Sequence, residues 1–353
     1  MHRQYMLKAY QLARQRLGYC APNPTVGCVL VKNNQIIATG VHMAHGQPHA
    51  EAQALSLAKD QANGCTVYVT LTPCAHFGQT PPCAKALIAA KVGVVYYAFE
   101  DPNPKAQGGV ALLEQAGIAC HLFPLPEITR LYQPFVRWLK TGEASLTAKI
   151  ALSLDGKYAL PSKKIQITSD EFETYTAQQR LKHDVIVTSV NTVKVDNPRL
   201  NVRLPQKIIS KPVIVLDPFA DISLSAQLLK TAKQLYILHT ECADKDKIDQ
   251  LNQLDICCIQ VARESNGRIL TSQIPKVIGN LGFHTAWVET GGQWFTSMLS
   301  TNIFSKIFFY YGNILLGNSA MSLPLSATYG FAKAEKILWD KVGNEVYCKI
   351  ILN

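Results

Sequence analysis

His49, Glu51, Cys74 and Cys83 are the side chains whose types and spacing could do chemistry together. One histidine and two cysteines are donors that suit zinc, and three protein ligands leave a fourth coordination position open, as a catalytic site requires. A glutamate two residues after the histidine is then placed to move a proton to and from that position. The chemistry such a set supports is hydrolysis by a metal-activated water. A structural zinc closed by His76 as a fourth ligand is the rival reading, and either cysteine alone is equally well a small buried hydrophobe.

Zinc deaminases share the signature H-x-E followed by P-C-x-x-C, in which the glutamate is acid and base rather than ligand. His49-Ala50-Glu51 and Pro73-Cys74 satisfy it, but Cys83 comes nine positions after Cys74 instead of three. Pro82, directly before Cys83, suits the start of a helix that continues as CAKALIAAKV. Pro48 precedes His49 in the same way, and AEAQALSLAKD is helical in composition with no breaker. A thiol at a helix N-terminus feels the positive end of the helix dipole, which favours the thiolate that a metal needs.

The elements that must position these groups read as α/β. RQYMLKAYQLARQRLG places Met6, Ala9, Tyr10, Ala13 and Leu17 on one helical face up to Gly18. PNPTVGCVLVKNNQIIATGVH reads as a hairpin turning at Asn33-Asn34. The strands TVYVTL and VGVVYYAF and a helix near GGVALLEQAG complete an alternating unit. A helix within EITRLYQPFVRWLKTGEA then runs into a link, and a domain boundary falls between 144 and 145.

From Leu146 a second pattern begins, with LTAKIALSLDGKYAL predicted as strand, turn and strand about Asp155-Gly156. The runs DVIVTSV, PVIVLD, QLYILH and TAWVET alternate with helical stretches, again α/β. No G-x-G-x-x-G follows a first strand, so a Rossmann domain is not supported. Gly291 and Gly292, between a strand and a helix, would let backbone N–H groups approach a phosphate. The adjacent Cys257 and Cys258, in an apolar run, are expected in the core.

With 353 residues, 48% hydrophobic and 17% charged, the chain has material for two cores. Its most apolar stretch, IFFYYGNILLG, is far shorter than the ~18 residues of a membrane span. No apolar run follows His2, Arg3 and Lys8, which argues against a secretory signal and for a cytoplasmic setting. The net charge of +10 divides evenly, +5 in residues 1–145 and +5 beyond, with no basic stripe. Small phosphorylated ligands fit that distribution better than nucleic acid.

HAEAQA, PCAHFGQTPPC, PNPTVG at 22–27 and DPNP at 101–104 resemble the bifunctional deaminase and reductase family of riboflavin biosynthesis. The resemblance continues through SLDG, ITS at 167–169, TVKVDNPRLNVR at 192–203 and WVETGG at 287–292, nearly the whole chain. It implies a cytidine-deaminase-like three-layer domain at 1–144, followed by a dihydrofolate-reductase-like α/β domain at 145–353. It also implies one Zn2+ per chain on His49, Cys74 and Cys83, with Glu51 as the catalytic acid and base. Asn23 would hold the pyrimidine; NADPH would meet Ala151, Thr192, Asp196, Gly291 and Gly292. Arg180, Leu200, Arg203 and Glu289 would meet a phosphoribosylaminopyrimidine substrate. The implied partner is that small molecule, with no nucleic acid and no membrane, and self-association is left open.

Some positions depart from the family. Lys164, Ile165 and Gln166 stand where Ser-x-Trp is usual before ITS, Pro218 where a serine follows VLD, and Ala75 and Gln79 where Ser and Arg are usual. They motivate one alternative, a deaminase whose second domain only binds ligand. The basic balance motivates another, a nucleic-acid deaminase, against which the even spread of charge tells.

Overall fold

In the first of two units, Met1–Gly142, short β-branched runs form one sheet and the amphipathic stretches between them cover it. In chain order these are α1 (His2–Arg14), β1 (Gly27–Lys32), β2 (Gln35–Val41), α2 (Ala50–Ala58), β3 (Thr66–Val69), α3 (Cys83–Ala89), β4 (Val94–Tyr97), α4 (Gly109–Gln115), β5 (Ala119–Leu122) and α5 (Pro126–Thr141). The computed structural model describes residues 1–76, 81–161, 165–325 and 334–352.

The strand order is β2-β1-β3-β4-β5. β1 runs antiparallel to β2 and β3, while β3, β4 and β5 are parallel. Asn33 and Asn34 both take positive φ, 49° and 63°, as a two-residue hairpin turn demands. Strand alternation splits the core. Cys28, Leu30, Val67 and Val69 pack with Ala50, Ala54 and Leu87 on one face. Val29, Val31 and Tyr68 pack with Met6, Ala9, Ile128 and Tyr132 on the other, which makes three layers. α2 lies so close to the sheet that a Cβ on Gly40 would fall 2.0 Å from the Ala50 carbonyl oxygen.

The second unit, Glu143–Asn353, holds β6 (Ser145–Leu152), β7 (Lys157–Ala159), α6 (Asp170–Lys182), β8 (Val185–Ser189), α7 (Val190–Asp196), β9 (Val202–Leu204), β10 (Lys207–Ile209) and β11 (Pro212–Leu216). It continues with α8 (Leu228–Thr231), β12 (Gln234–His239), α9 (Lys245–Gln253), β13 (Cys257–Gln260), α10 (Ile274–Asn280), β14 (Thr285–Glu289), α11 (Gly292–Ser300), β15 (Phe304–Tyr311), β16 (Met321–Ser322), β17 (Ala334–Val342) and β18 (Glu345–Leu352). Nine strands form one sheet in the order β13-β12-β11-β8-β14-β6-β15-β18-β17. β13 through β15 in that order are parallel, and β18 and β17 close it antiparallel.

Three local expectations change. The first helix ends at Arg14, and the chain reaches Gly18 through turns. The strand, turn and strand about Asp155-Gly156 form, the Ser153 N–H donating to the Lys157 carbonyl at 2.8 Å, but the ladder partner of β7 is β16 rather than β6, and the Asp155 carboxylate accepts from the Leu316 and Gly317 N–H groups at 3.0 and 2.8 Å. Cys257 is exposed and Cys258 half-buried, because β13 is an edge strand rather than a core one. Glu345, buried at the start of β18, accepts from the Ser169 N–H and hydroxyl at 2.8 and 2.6 Å and from the Asn313 N–H at 3.3 Å.

Candidate active sites

In the first unit the donors arrive from two helix starts and a loop. His49 is the N-cap of α2, Cys83 opens α3 directly after Pro82, and Cys74 ends the segment leaving β3. Backbone bonds fix the loop to the helix, with the Ala84 N–H donating to the Cys74 carbonyl at 3.1 Å and the Cys83 N–H to Cys74 Sγ at 3.4 Å. A Cβ on Gly109 would sit 1.7 Å from the Pro73 carbonyl oxygen, so the start of α4 presses on the loop from behind.

Tetrahedral zinc, at about 2.0–2.1 Å to nitrogen and 2.3 Å to sulfur, sets N···S separations of about 3.6 Å. His49 Nδ1 lies 3.3 Å from Cys83 Sγ and 3.6 Å from Cys74 Sγ, and the three donor atoms are within 4.8 Å of one another. The residues fit the ion. Neither His76, which is exposed, nor Glu51 belongs to that group, so the donor set among the described residues numbers three. Hydrogen bonds from Cys83 and His49 hold the Cys74 thiol down, against burial, to about 4. Burial pushes the Glu51 carboxyl up to about 7, with the Cys74 charge adding to it.

Glu51, His49 and Cys74 line a cavity of ≈ 530 Å³ that Asn23, His42, Asp101, Asn103 and Trp138 also line. Within it Asn23 is held. Its Nδ2 donates to His42 Nε2 at 3.2 Å, while His42 Nδ1 lies 3.2 Å from the Pro48 carbonyl oxygen, which fixes the proton on Nδ1. Sequence reasoning missed His42, for nothing in its neighbourhood sets it apart from a strand-end histidine.

In the second unit the residues expected at NADPH sit at the carboxyl ends of adjacent parallel strands, where open α/β sheets bind ligands. Ala151 is near the end of β6, Thr192 is in the first turn of α7 after β8, Asp196 ends α7, and Gly291 caps α11 after β14. β8, β14 and β6 are neighbours in the sheet. The two glycines differ: a Cβ on Gly291 would meet open space, whereas one on Gly292 would lie 2.6 Å from the Tyr158 ring.

The structure brings Arg180 and Glu289 onto each other. Arg180 Nε and Nη2 donate to the two carboxylate oxygens at 2.5 and 2.8 Å, Trp287 Nε1 donates to Oε1 at 2.8 Å, and Arg180 Nη1 reaches the Asn201 carbonyl at 3.1 Å beside Leu200. Arg203 stands apart on β9, its side chain 46% exposed and 3.8 Å from Glu173. Lys149 on β6 lies opposite Glu289 on β14, half-buried, with its ammonium pKa pulled down by burial although Glu289 opposes the shift. Sequence reasoning missed it too; a lysine inside the apolar strand LTAKIAL was the available signal. Of the departing positions, Gln79 and Lys164 lie outside the described residues. Gln166 bonds Asp170 at 3.0 Å, and the Pro218 carbonyl accepts from the Thr240 N–H and hydroxyl, both at 2.9 Å.

Burial alone would raise the Glu289 carboxyl, but the Arg180 charge and hydrogen bonds, with Lys149 and Trp287 behind them, outweigh it and hold the group at about 2. A depressed folded-state pKa adds stability that is present above the ordinary value of 4.5 and is lost as pH falls toward 2, on the order of 3 kcal/mol. Glu289→Gln is expected to be less stable at neutral pH, because Arg180 loses its partner, yet to show a flatter decline in that acid window. Urea unfolding at stepped pH measures this, and an undiminished acid decline in the variant would remove Glu289 as its source.

Comparison with known proteins covers both units. Residues 144–347 match the family described as the RibD C-terminal domain, and residues 1–99 match the cytidine and deoxycytidylate deaminase zinc-binding region. The chain is 35% identical over 323 residues to riboflavin biosynthesis protein RibD of Bacillus amyloliquefaciens, covering 90% of this chain and 86% of that one. It is 33% identical over 334 residues to RibD of Escherichia coli (strain K12), covering 90% and 89%. The solved Acinetobacter baumannii RibD, form 2, is similar with a TM-score of 0.88 at 30% identity, over 100% of this chain and 99% of that one.

Proposed function

The chain belongs to the riboflavin biosynthesis protein RibD family, and on that premise we propose how its own residues divide the family's two reactions. It is a bifunctional deaminase and reductase, with zinc and NADPH as cofactors. Residues 1–144 remove an amino group hydrolytically from a diaminohydroxyphosphoribosylaminopyrimidine, and residues 145–353 reduce the ribosyl group of the product to ribityl. The observation that carries the first assignment is the His49, Cys74 and Cys83 donor set with Glu51 buried in the cavity that His49 and Cys74 also line. No helix among the described residues is long and apolar enough to cross a membrane, and we place the enzyme in the cytoplasm, acting on a small molecule.

Zinc, when bound, polarises a water and brings its ionisation toward neutral pH. Glu51 takes one proton from the water to the ring nitrogen and then a second, from the hydroxyl added to the ring carbon, to the amino group, which leaves as ammonia. Asn23, its amide oriented by His42, holds the pyrimidine. In the second unit NADPH, when bound, supplies the hydride. Glu289, kept ionised by Arg180 and Lys149, accepts hydrogen bonds from the ribosyl hydroxyls, and Leu200 shapes the pocket beside Asn201. Arg203, exposed and only loosely paired, offers a planar fork for the substrate phosphate.

One assay follows ammonia release and the loss of NADPH absorbance in the same sample. NADPH is expected to be consumed only after ammonia appears, and NADPH loss that precedes ammonia would reverse the order of the two reactions. Arg203→Ala should raise KM for already deaminated substrate by about tenfold or more while leaving KM for NADPH unchanged, since it removes a charge-assisted bond to one ligand only. Equal losses for both ligands would take the phosphate away from Arg203.

A further inference from the structure

β7 is three residues long, and its middle residue, Tyr158, turns its side chain to the face opposite Lys157 and Ala159. The bond from the Ser153 N–H to the Lys157 carbonyl ties β7 to the end of β6 that carries Ala151, and β16 holds Lys157 and Ala159 in register. The Tyr158 ring is half-buried against the core cluster that includes Phe295 and Met298 of α11. It ends on Gly292, the first residue of that helix.

A Cβ built on Gly292 would lie 2.6, 2.7 and 2.9 Å from Tyr158 Cζ, Cε1 and Cε2, and these three are nearer to it than the hydroxyl oxygen. An approach along the C–O bond would meet the oxygen first, so the glycine faces the flat side of the ring at its hydroxyl end. A residue with a Cβ would push the ring away. Gly291 differs, for a Cβ there would meet nothing within 4 Å. The turn is therefore walled at Gly292 and open at Gly291.

The first N–H groups of a helix have no carbonyl to bond within it. In α11 the first bond runs from the Phe295 N–H to the Gly291 carbonyl at 3.0 Å, and no side chain caps the helix. The N–H groups of Gly292, Gln293 and Trp294 have no partner among the described residues, and neither has the Tyr158 hydroxyl. We propose that Tyr158 belongs to the cofactor site of the reductase: its hydroxyl donates to the pyrophosphate of NADPH on the open side of this turn, and the seat of its ring on Gly292 fixes where that hydroxyl stands. The proposal rests on the expectation that the cofactor meets Gly291 and Gly292. From Thr290 to Thr296 the chain carries no cationic side chain, so neutral donors must serve the anion there, and a hydroxyl on a phosphate oxygen forms a charge-assisted bond. Burial raises the phenol's pKa, so it keeps the proton that it donates.

The test is titration calorimetry on the intact zinc-loaded chain with NADP+, with 2′-phospho-ADP-ribose, which keeps the pyrophosphate but lacks nicotinamide, and with adenosine 2′-phosphate, which lacks both. Tyr158→Phe keeps the ring and removes only the hydroxyl. It should raise Kd for the first two ligands by about tenfold and leave the third unchanged, with thermal unfolding as in wild type. An unchanged Kd for NADP+, or a loss that adenosine 2′-phosphate shares, overturns the proposal. Gly292→Ala drives a Cβ into the ring and should also weaken NADP+, after which adding Tyr158→Phe should cost little more, because the displaced ring no longer holds its hydroxyl in place. A full tenfold cost in that background overturns the seating of the hydroxyl by Gly292. A wild-type chain that binds the two pyrophosphate ligands no more tightly than adenosine 2′-phosphate would sink the placement of the cofactor at the turn, and the role of Tyr158 with it.

Discussion

Glu51→Gln is expected to keep its zinc and to lose deamination by about two to four orders of magnitude, the usual worth of a positioned acid and base. The carboxyl is buried in the cavity that His49 and Cys74 also line, yet lies outside the set of three that fits the ion. An amide has the same shape and carries no charge, so burying it costs no more than burying the acid. What disappears is the capacity to accept a proton. Metal analysis and ammonia release on the same preparation separate the two properties. A variant that turned over near the normal rate would exclude the proton-carrying role, and one that lost its zinc would make Glu51 a ligand or a support for one.

Cys74→Ser should lose zinc and deamination together while reduction of already deaminated substrate continues. Cys74 Sγ is 3.6 Å from His49 Nδ1 and receives the Cys83 N–H, so it joins the other two donors physically as well as chemically. Removing it leaves two ligands. The loss of affinity should exceed the roughly 10–100-fold that follows when only a partner supporting a ligand is removed. Full zinc content in the variant would sink the donor assignment. Loss of NADPH oxidation in a folded variant would mean that the second reaction depends on the first site.

The grouping of His49, Cys74 and Cys83 was legible because its signals are local. Pro48 and Pro82 mark helix starts in the sequence, and His49 and Cys83 stand directly behind them, as the dipole argument requires. The hairpin at Asn33-Asn34 was legible for the same reason. The second site was readable only through the family resemblance. Arg180 and Glu289 are 109 residues apart, and nothing near either says that each is the other's partner. Lys149 reads as a member of a strand until the register places it opposite Glu289. Cys257 and Cys258 read as core because apolar runs do not reveal which strand will lie at an edge. The strand, turn and strand about Asp155-Gly156 were legible, but nothing local shows that the same carboxylate, besides accepting from the Ser153 hydroxyl, also bonds a loop some 160 residues on.

Glu345 bears on how far this chain can be shortened. Its carboxylate reaches back to Ser169, the N-cap of α6, whose hydroxyl points at Glu345 rather than at its own helix. α6 is the helix that carries Arg180. A gene cut before codon 345 would thus do more than shed a surface hairpin: it would take away the anion at that helix start and two part-buried hydrogen bonds with it. Splicing or trimming schemes that treat β17 and β18 as an appendix would be expected to reach the reductase chemistry through this side chain as well as through the lost ladder with β15.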